Sequence, residues 1–371
     1  MQEVKIYWIS KVALAYQEVD DRKGDTMDTA GKTVEAVLLI GQREYTQAAQ
    51  ALKEVLEEDL KNNNANYYMG VLCLYELNYE LAEIFFQRAK DLGIDHCGLW
   101  MNLAGVQENL GEMQEAEASY KKAVQKAGEK VERWACLTAQ AIFYLKKGQY
   151  LRVKKNAAQL LQEFPEDYEG YHLQYEIGKA QKQYEICGAV LKKTREKFDG
   201  KAVYLGDVLE LWRLTKEPEE VLALLKEDGR FMEVLPALTL RTRVELLGKL
   251  KRYEESRQSI GILAGNYQDL DAMIAAVLLA ISEENYKAAK NICIAVMDKL
   301  AENTEDVRYF YAVYYSLFAA YFEVKGQVSE ETARWMKLGV EYCEKWMQLY
   351  QMEDDDMEET LEFIRNVVQR A

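Results

Sequence analysis

The string Ala30-Gly31-Lys32-Thr33 is the first in the sequence that could do chemistry, because a Gly-Lys-Thr triplet can hold a phosphate. That loop needs a glycine five residues before Gly31 and a strand leading into it. Thr26 and the charged run Asp20-Asp21-Arg22-Lys23 stand there instead, so nucleotide binding is not expected. The two histidines, His96 and His172, are far apart and have no paired cysteines beside them, which argues against zinc. No GxSxG, HExxH or GxGxxG motif occurs. Six cysteines (Cys73, Cys97, Cys136, Cys187, Cys293, Cys343) are widely spread and form no CxxC pair. They read as reduced, small core residues of an intracellular chain rather than as a disulfide framework. Carboxylates occur in pairs everywhere and single out no position. The expectation is no catalytic residue, no cofactor and no metal.

The elements that would position any site are helices. Of 371 residues 49% are hydrophobic and only 3 are proline, the residue that breaks helix interiors. Lys and Arg number 47 against 62 Asp and Glu, a formal charge of −15, which opposes phosphate backbones and anionic membranes as partners. The longest apolar run, residues 272–281, is too short to span a bilayer. Residues 1–16 contain Ile6-Tyr7-Trp8-Ile9, but Lys11 interrupts the run and no small-residue cleavage site follows, so an amphipathic helix is expected and not a signal peptide. A cytoplasmic location follows.

One spacing recurs along the chain. A residue that could open a helix stands at Tyr45, Tyr79, Met113, Tyr150, Tyr184, Pro218, Tyr253 and Tyr286, at intervals of 33 to 37 residues. Three residues on come Ala48, Ala82, Ala116, Val153, Cys187, Val221, Ser256 and Ala289, all small or β-branched and none charged. Four further on come Leu52, Phe86, Tyr120, Ala157, Leu191, Leu225, Ile260 and Cys293. Eight units in phase predict a stacked array. Within one unit, Trp100, Leu103, Ala104, Gln107 and Leu110 make one stripe, Gly111 ends that helix, and Met113, Ala116, Tyr120 and Ala123 make the next. Small residues at Ala104 and Ala116 predict close approach of the two helices as an antiparallel hairpin. Similar breaks stand at Lys147-Gly148-Gln149 and Lys325-Gly326-Gln327. Hairpins this short are marginal alone and depend on stacking.

These residues resemble the tetratricopeptide repeat (TPR) family. Trp100, Leu103, Ala104, Gly111, Ala116, Tyr120 and Ala123 follow its pattern in order, as do Met69, Gly70, Tyr79, Ala82, Phe86 and Ala89. A third match runs through Ala141, Tyr144, Gly148, Tyr150 and Phe164-Pro165. The chain departs from the pattern at Asp228, where a small apolar residue belongs, and that unit's second helix is expected to end at Asp228-Gly229. The implied fold is an all-α, α–α superhelix (solenoid) of antiparallel hairpins. Its expected organisation is an N-terminal capping helix and loop in residues 1–28, about eight TPR-like hairpins in 29–303, an irregular long hairpin in 304–352 and a C-terminal capping helix in 353–371. The aromatic run at residues 309–322 is expected to be a helix covered on two sides.

In the TPR family the first helices of successive units line a concave groove that holds a peptide. The carboxylate clamp of chaperone adaptors would fall here on Tyr67, Val71, Asn102, Ala135 and Ala139, of which only Asn102 fits, so that clamp is not expected. The same phase instead places Tyr67, Tyr68, Tyr75, Met101, Asn102 and Asn109 in the groove, an aromatic wall with two amides suited to a peptide with apolar anchors. A second candidate is the charged stretch around Asp207, Arg213 and Arg241. The expected function is a non-catalytic scaffold, monomer or homodimer, that binds a protein or peptide. A peptide-sensing bacterial regulator is an alternative. An RNA-binding helical repeat protein is a further one, opposed by the acidic charge and the absence of regular basic residues.

Overall fold

The computed structural model describes residues 29–301, 303–323, 329–350, 352 and 354–368. The expected N-terminal cap in residues 1–28 and the break at Lys325-Gly326-Gln327 lie outside the described residues. Among the described residues there are only helices and turns, and no helix is long and apolar enough to cross a membrane.

Two compact units divide the chain, the first ending at Phe198 and the second beginning at Asp199. Unit 1 holds five hairpins. They are α1 (Thr29–Gly41) with α2 (Tyr45–Glu58), α3 (Asn63–Tyr75) with α4 (Tyr79–Asp91), α5 (Cys97–Asn109) with α6 (Met113–Lys126), α7 (Lys130–Lys146) with α8 (Tyr150–Glu163), and α9 (Glu169–Ala180) with α10 (Tyr184–Phe198). Unit 2 holds α11 (Ala202–Thr215) with α12 (Pro218–Glu227), a short α13 (Arg230–Val234), α14 (Pro236–Lys249) with α15 (Tyr253–Asn266), and α16 (Leu270–Ser282) with α17 (Tyr286–Lys299). Three longer elements follow, α18 (Val307–Glu323), α19 (Glu330–Leu349) and α20 (Asp355–Val368).

All eight anchor residues open the second helix of a hairpin. The small residues three positions on are sealed between helices, and even Ser256 is 2% exposed. The bulky set four further on is buried as well. Gly70 shows how tight the contact is, since a Cβ there would lie 2.8 Å from the ring of Phe86 on the facing helix.

A common turn joins the helices. In the second hairpin Leu77 N–H donates to Leu74 C=O and Asn78 N–H to Cys73 C=O, with Leu77 at φ 59°, the left-handed stop of a helix. Asn78 then caps α4, its side chain accepting from Leu81 N–H. The same two backbone bonds recur around Arg43, Gly111, Gly148, Lys182, Lys251 and Glu284, each two residues before an anchor and each with positive φ. The turn before α12 differs. Lys216 is extended there, and Pro218 opens the helix at the position where a missing N–H is harmless.

In unit 2, α12 ends at Glu227, and the Asp228 carboxylate binds the guanidinium of Arg230. The chain then makes the single turn of α13, and fully buried Phe231 fills the space against Trp212. The aromatic helix α18 is packed on two sides. Phe310, Tyr314 and Leu317 meet α19 and α20, with Phe310 stacked on Trp346 at 4.5 Å, while Ala312, Tyr315 and Ala319 meet α17.

Candidate functional site

Unit 1 carries a groove of about 620 Å³ lined mainly by the first helices of four successive hairpins, α1, α3, α5 and α7, with Tyr79 of α4 and Met113 and Tyr120 of α6 at its border. The lining follows one helical face, at i, i+4 and i+8. On α3 these are Tyr67 and Tyr68, Val71, and Tyr75; on α5 they are Met101 and Asn102, Gly105, and Asn109; on α7 they are Thr138 and Ala139, Ile142, and Lys146. All six residues of the first sequence candidate therefore share this groove. Corresponding positions are 34 residues apart between α3 and α5 and 37 apart between α5 and α7, the intervals of the anchors Tyr79, Met113 and Tyr150. Gly105 stands where its neighbours carry Val71 and Ile142, and a Cβ there would meet nothing within 4 Å, so the middle of the groove is dented.

Four of these side chains, Tyr67, Tyr75, Asn102 and Asn109, are fixed by named neighbours. Tyr67 is buried, and its ring meets Tyr68 edge-on at 5.1 Å and His96 at 5.0 Å. Its hydroxyl accepts from Asn102 Nδ2 at 3.2 Å, and burial raises its pKa well above the ordinary phenol value, which keeps it neutral. Tyr75 stacks on Tyr45 of α2 at 4.8 Å. The two amides are less available than the sequence suggests. Asn102 commits one N–H to Tyr67, and Asn109 folds its Nδ2 back onto the Gly105 carbonyl at 2.7 Å.

The far wall is more polar. Glu108 accepts from the Tyr120 hydroxyl at 2.9 Å and from Lys146 Nζ at 2.6 Å, so its charge is already answered. Lys147 places its ammonium over the Phe143 ring at 5.2 Å. Thr138 Oγ1 is buried without a hydrogen-bond partner among the described residues. His96 caps α5, its Nδ1 accepting from Leu99 N–H at 3.2 Å. Desolvation lowers its pKa, against a weaker upward pull from Glu132 and Asp95.

Sequence reasoning missed Val37, Ile40, His96, Thr138, Ile142 and Lys147 as lining residues. The signal for the α7 members was the 37-residue step, which carries Met101 to Thr138 and Gly105 to Ile142. Of the positions tested for a carboxylate clamp, Tyr67, Val71, Asn102 and Ala139 line the groove, whereas Ala135 is buried in the core.

The second candidate consists of charges used inside unit 2. Arg213 pairs with Glu245, which also holds Lys249. Arg241 pairs with Asp269, whose other oxygen caps α16 through Ala272 N–H. Asp207 is 4% exposed on α11. The Ala30-Gly31-Lys32-Thr33 string lies within α1, where Lys32 binds Glu58 and Glu54 and Thr33 donates to the Thr29 carbonyl.

No protein-family model matches the sequence, and no curated protein matches it. The structure is similar to the crystal structure of yeast Tom70, with a TM-score of 0.61 at 11% identity, over 85% of this chain and 69% of that one. Looser likenesses include YrrB, described as a TPR protein with an unusual peptide-binding site (TM-score 0.41, 18% identity, 53% of this chain and 96% of that one). Another is a tetratricopeptide repeat protein from Parabacteroides merdae (TM-score 0.41, 10% identity, 76% and 97%). With its consecutive helix hairpins and the Tom70 likeness, the chain has the TPR-like α–α superhelical fold.

Proposed function

We propose that this chain is a non-catalytic scaffold that binds a segment of another protein in the groove of unit 1, through Tyr67, Tyr68, Tyr75, Met101, Asn102 and Asn109. The observation that carries this reading is the convergence of those six positions, from two helices, on one groove with an aromatic and aliphatic lining. In a chain of charge −15, the charged lining of the groove is confined to Glu108, Glu132, Lys146 and Lys147, and the face offered by α3 is aromatic and aliphatic. Burial of an aliphatic or aromatic anchor against Tyr68 and Met101 supplies affinity, and the Asn102 and Asn109 carbonyl oxygens can receive backbone N–H groups that binding desolvates. Six free, buried cysteines support a reducing, cytoplasmic setting. The array works as a monomer or homodimer, without nucleic acid, membrane or cofactor.

The test is photo-crosslinking from within the groove. A benzophenone amino acid at Asn109 should capture a discrete partner segment in cells, and one at Leu151, 83% exposed on α8, should not. With that segment as a peptide, Tyr68→Ala combined with Asn102→Ala should weaken binding by about 2–4 kcal/mol. Equal capture from both positions, or unchanged affinity in the double variant, overturns the placement.

A further inference from the structure

Beneath the groove, between the third and fourth hairpins, three sulfur atoms come together. Cys97 is the first residue of α5, and Met101 lies one turn later on the same face. Cys136 approaches from α7, its thiol 3.2 Å from the Met101 thioether and packed with Cys97 in one buried cluster. Both thiols are buried, Cys97 at 2% exposure and Cys136 at 0%, among Ala123, Trp100, Val124 and Ala127. We propose that Cys97, Cys136 and Met101 form a binding site for a soft monovalent metal ion, copper(I).

The donor set selects the ion. Thiolate and thioether sulfurs are soft ligands that favour copper(I), whereas zinc takes four ligands, commonly including imidazole or carboxylate. Each thiol that ligates releases one proton to solvent, and the copper stays in its +1 state throughout. With both thiolates bound the site carries one net negative charge. The N-terminal N–H groups of α5 favour that charge beside Cys97, whereas at Cys136 the neighbouring Cys97, burial and Glu132 push the thiol's pKa well up against a smaller pull from Arg133, so the metal must displace a firmly held proton there. Met101 also lines the groove, which gives the ion a way in past the thioether. A bound ion would bridge α5 to α7 under the groove floor.

Anaerobic titration of the reduced full chain with copper(I) against the chromophoric chelator bicinchoninate tests the site. One copper(I) per chain should be withheld from the chelator. Cys97→Ala and Cys136→Ala should each abolish retention, and Met101→Leu should weaken it about tenfold or more. Cys187→Ala, whose thiol donates to the Tyr175 carbonyl elsewhere in unit 1, should leave retention unchanged. Copper(I) should also raise the thermal midpoint of the wild type but not of Cys136→Ala. Met101→Leu keeps volume and apolar character, so it decides the matter if a cysteine variant loses helix by circular dichroism. Complete loss of copper to the chelator from the wild type overturns the proposal, as does undiminished retention in either cysteine variant. X-ray absorption showing nitrogen or oxygen ligands on the retained copper overturns it too.

Discussion

Asn102 donates from Nδ2 to the hydroxyl oxygen of Tyr67 at 3.2 Å, so one hydrogen bond joins the groove faces of the second and third hairpins. Both residues occupy the first helix of their unit, and Asn102 stands one repeat after Tyr68, not Tyr67. The bond therefore runs diagonally across the groove and holds the Tyr67 ring upright against His96.

A double-mutant cycle measures that bond. Tyr67→Phe and Asn102→Ala should each cost about 1 kcal/mol in urea unfolding, with a coupling of about 0.5–1.5 kcal/mol between them. Additive losses would mean that the two side chains do not act together in solution.

The hairpin turns make a second prediction. Leu77 holds a left-handed conformation at φ 59° and its side chain is 64% exposed, so little packing offsets the strain of its Cβ. Glycine relieves that strain, at the cost of a more flexible unfolded chain. Leu77→Gly should stabilise the protein by about 0.5–1 kcal/mol, and Lys182→Gly similarly. The reverse change, Gly111→Ala at φ 81°, should destabilise it by about 1–2 kcal/mol. Denaturant midpoints read all three, and a loss of stability in Leu77→Gly would show that the side chain contributes packing of its own.

These turns also mark where the sequence stops being legible. The anchors and the small residues behind them could be read because burial between two helices excludes charge and bulk at a fixed interval. The left-handed stops could not, because only Gly111 and Gly148 among the seven carry glycine. At Arg43, Leu77, Lys182, Lys251 and Glu284 the conformation is imposed by two backbone bonds that any residue can make. In the groove, Tyr67 to Asn109 was legible because α3 and α5 differ by the common step. The α7 wall was hidden by the longer step of 37, and the commitments of Asn102 and Asn109 depend on side-chain directions that no spacing encodes.

His96 gives the groove a pH dependence. Its Nδ1 caps α5 by accepting a hydrogen bond, which only the neutral ring can do. Desolvation depresses its folded pKa below the unfolded value of 6.5, so its contribution is fully present above about pH 6.5 and fades as pH falls through the folded pKa. Part of the ring is open to solvent, so screening keeps the effect small, about 0.5–1 kcal/mol for the lost cap. Urea midpoints at pH 7.5 and pH 5 should differ more for the wild type than for His96→Asn, whose amide caps at both. An equal pH slope in the two proteins would assign the dependence to other groups.

The last prediction concerns α20 at the end of unit 2. Its buried residues Met357, Leu361 and Ile364 follow one face at i, i+4 and i+7, and they cover Phe310, Tyr314, Met336 and Val340 on α18 and α19. Asp354 accepts from Met357 N–H at 3.0 Å, and Asp355, Asp356 and Glu358 place negative charge at the positive end of the helix. The helix thus starts firmly and leaves Asp355, Asp356, Glu358, Glu359, Glu362 and Arg365 exposed. Removal of residues 354–371 would expose an apolar face made for another helix, and a second chain would be the nearest cover. The truncated chain should self-associate in sedimentation velocity and lose about 5 kcal/mol of stability in unit 2, at roughly 1.5–3 kcal/mol per uncovered apolar side chain. Leu361→Asp in the full chain should cost a comparable amount by burying a carboxylate among Phe310, Met336 and Cys343. A truncated chain that remains monomeric at an unchanged melting temperature would mean that α20 does not cap the array.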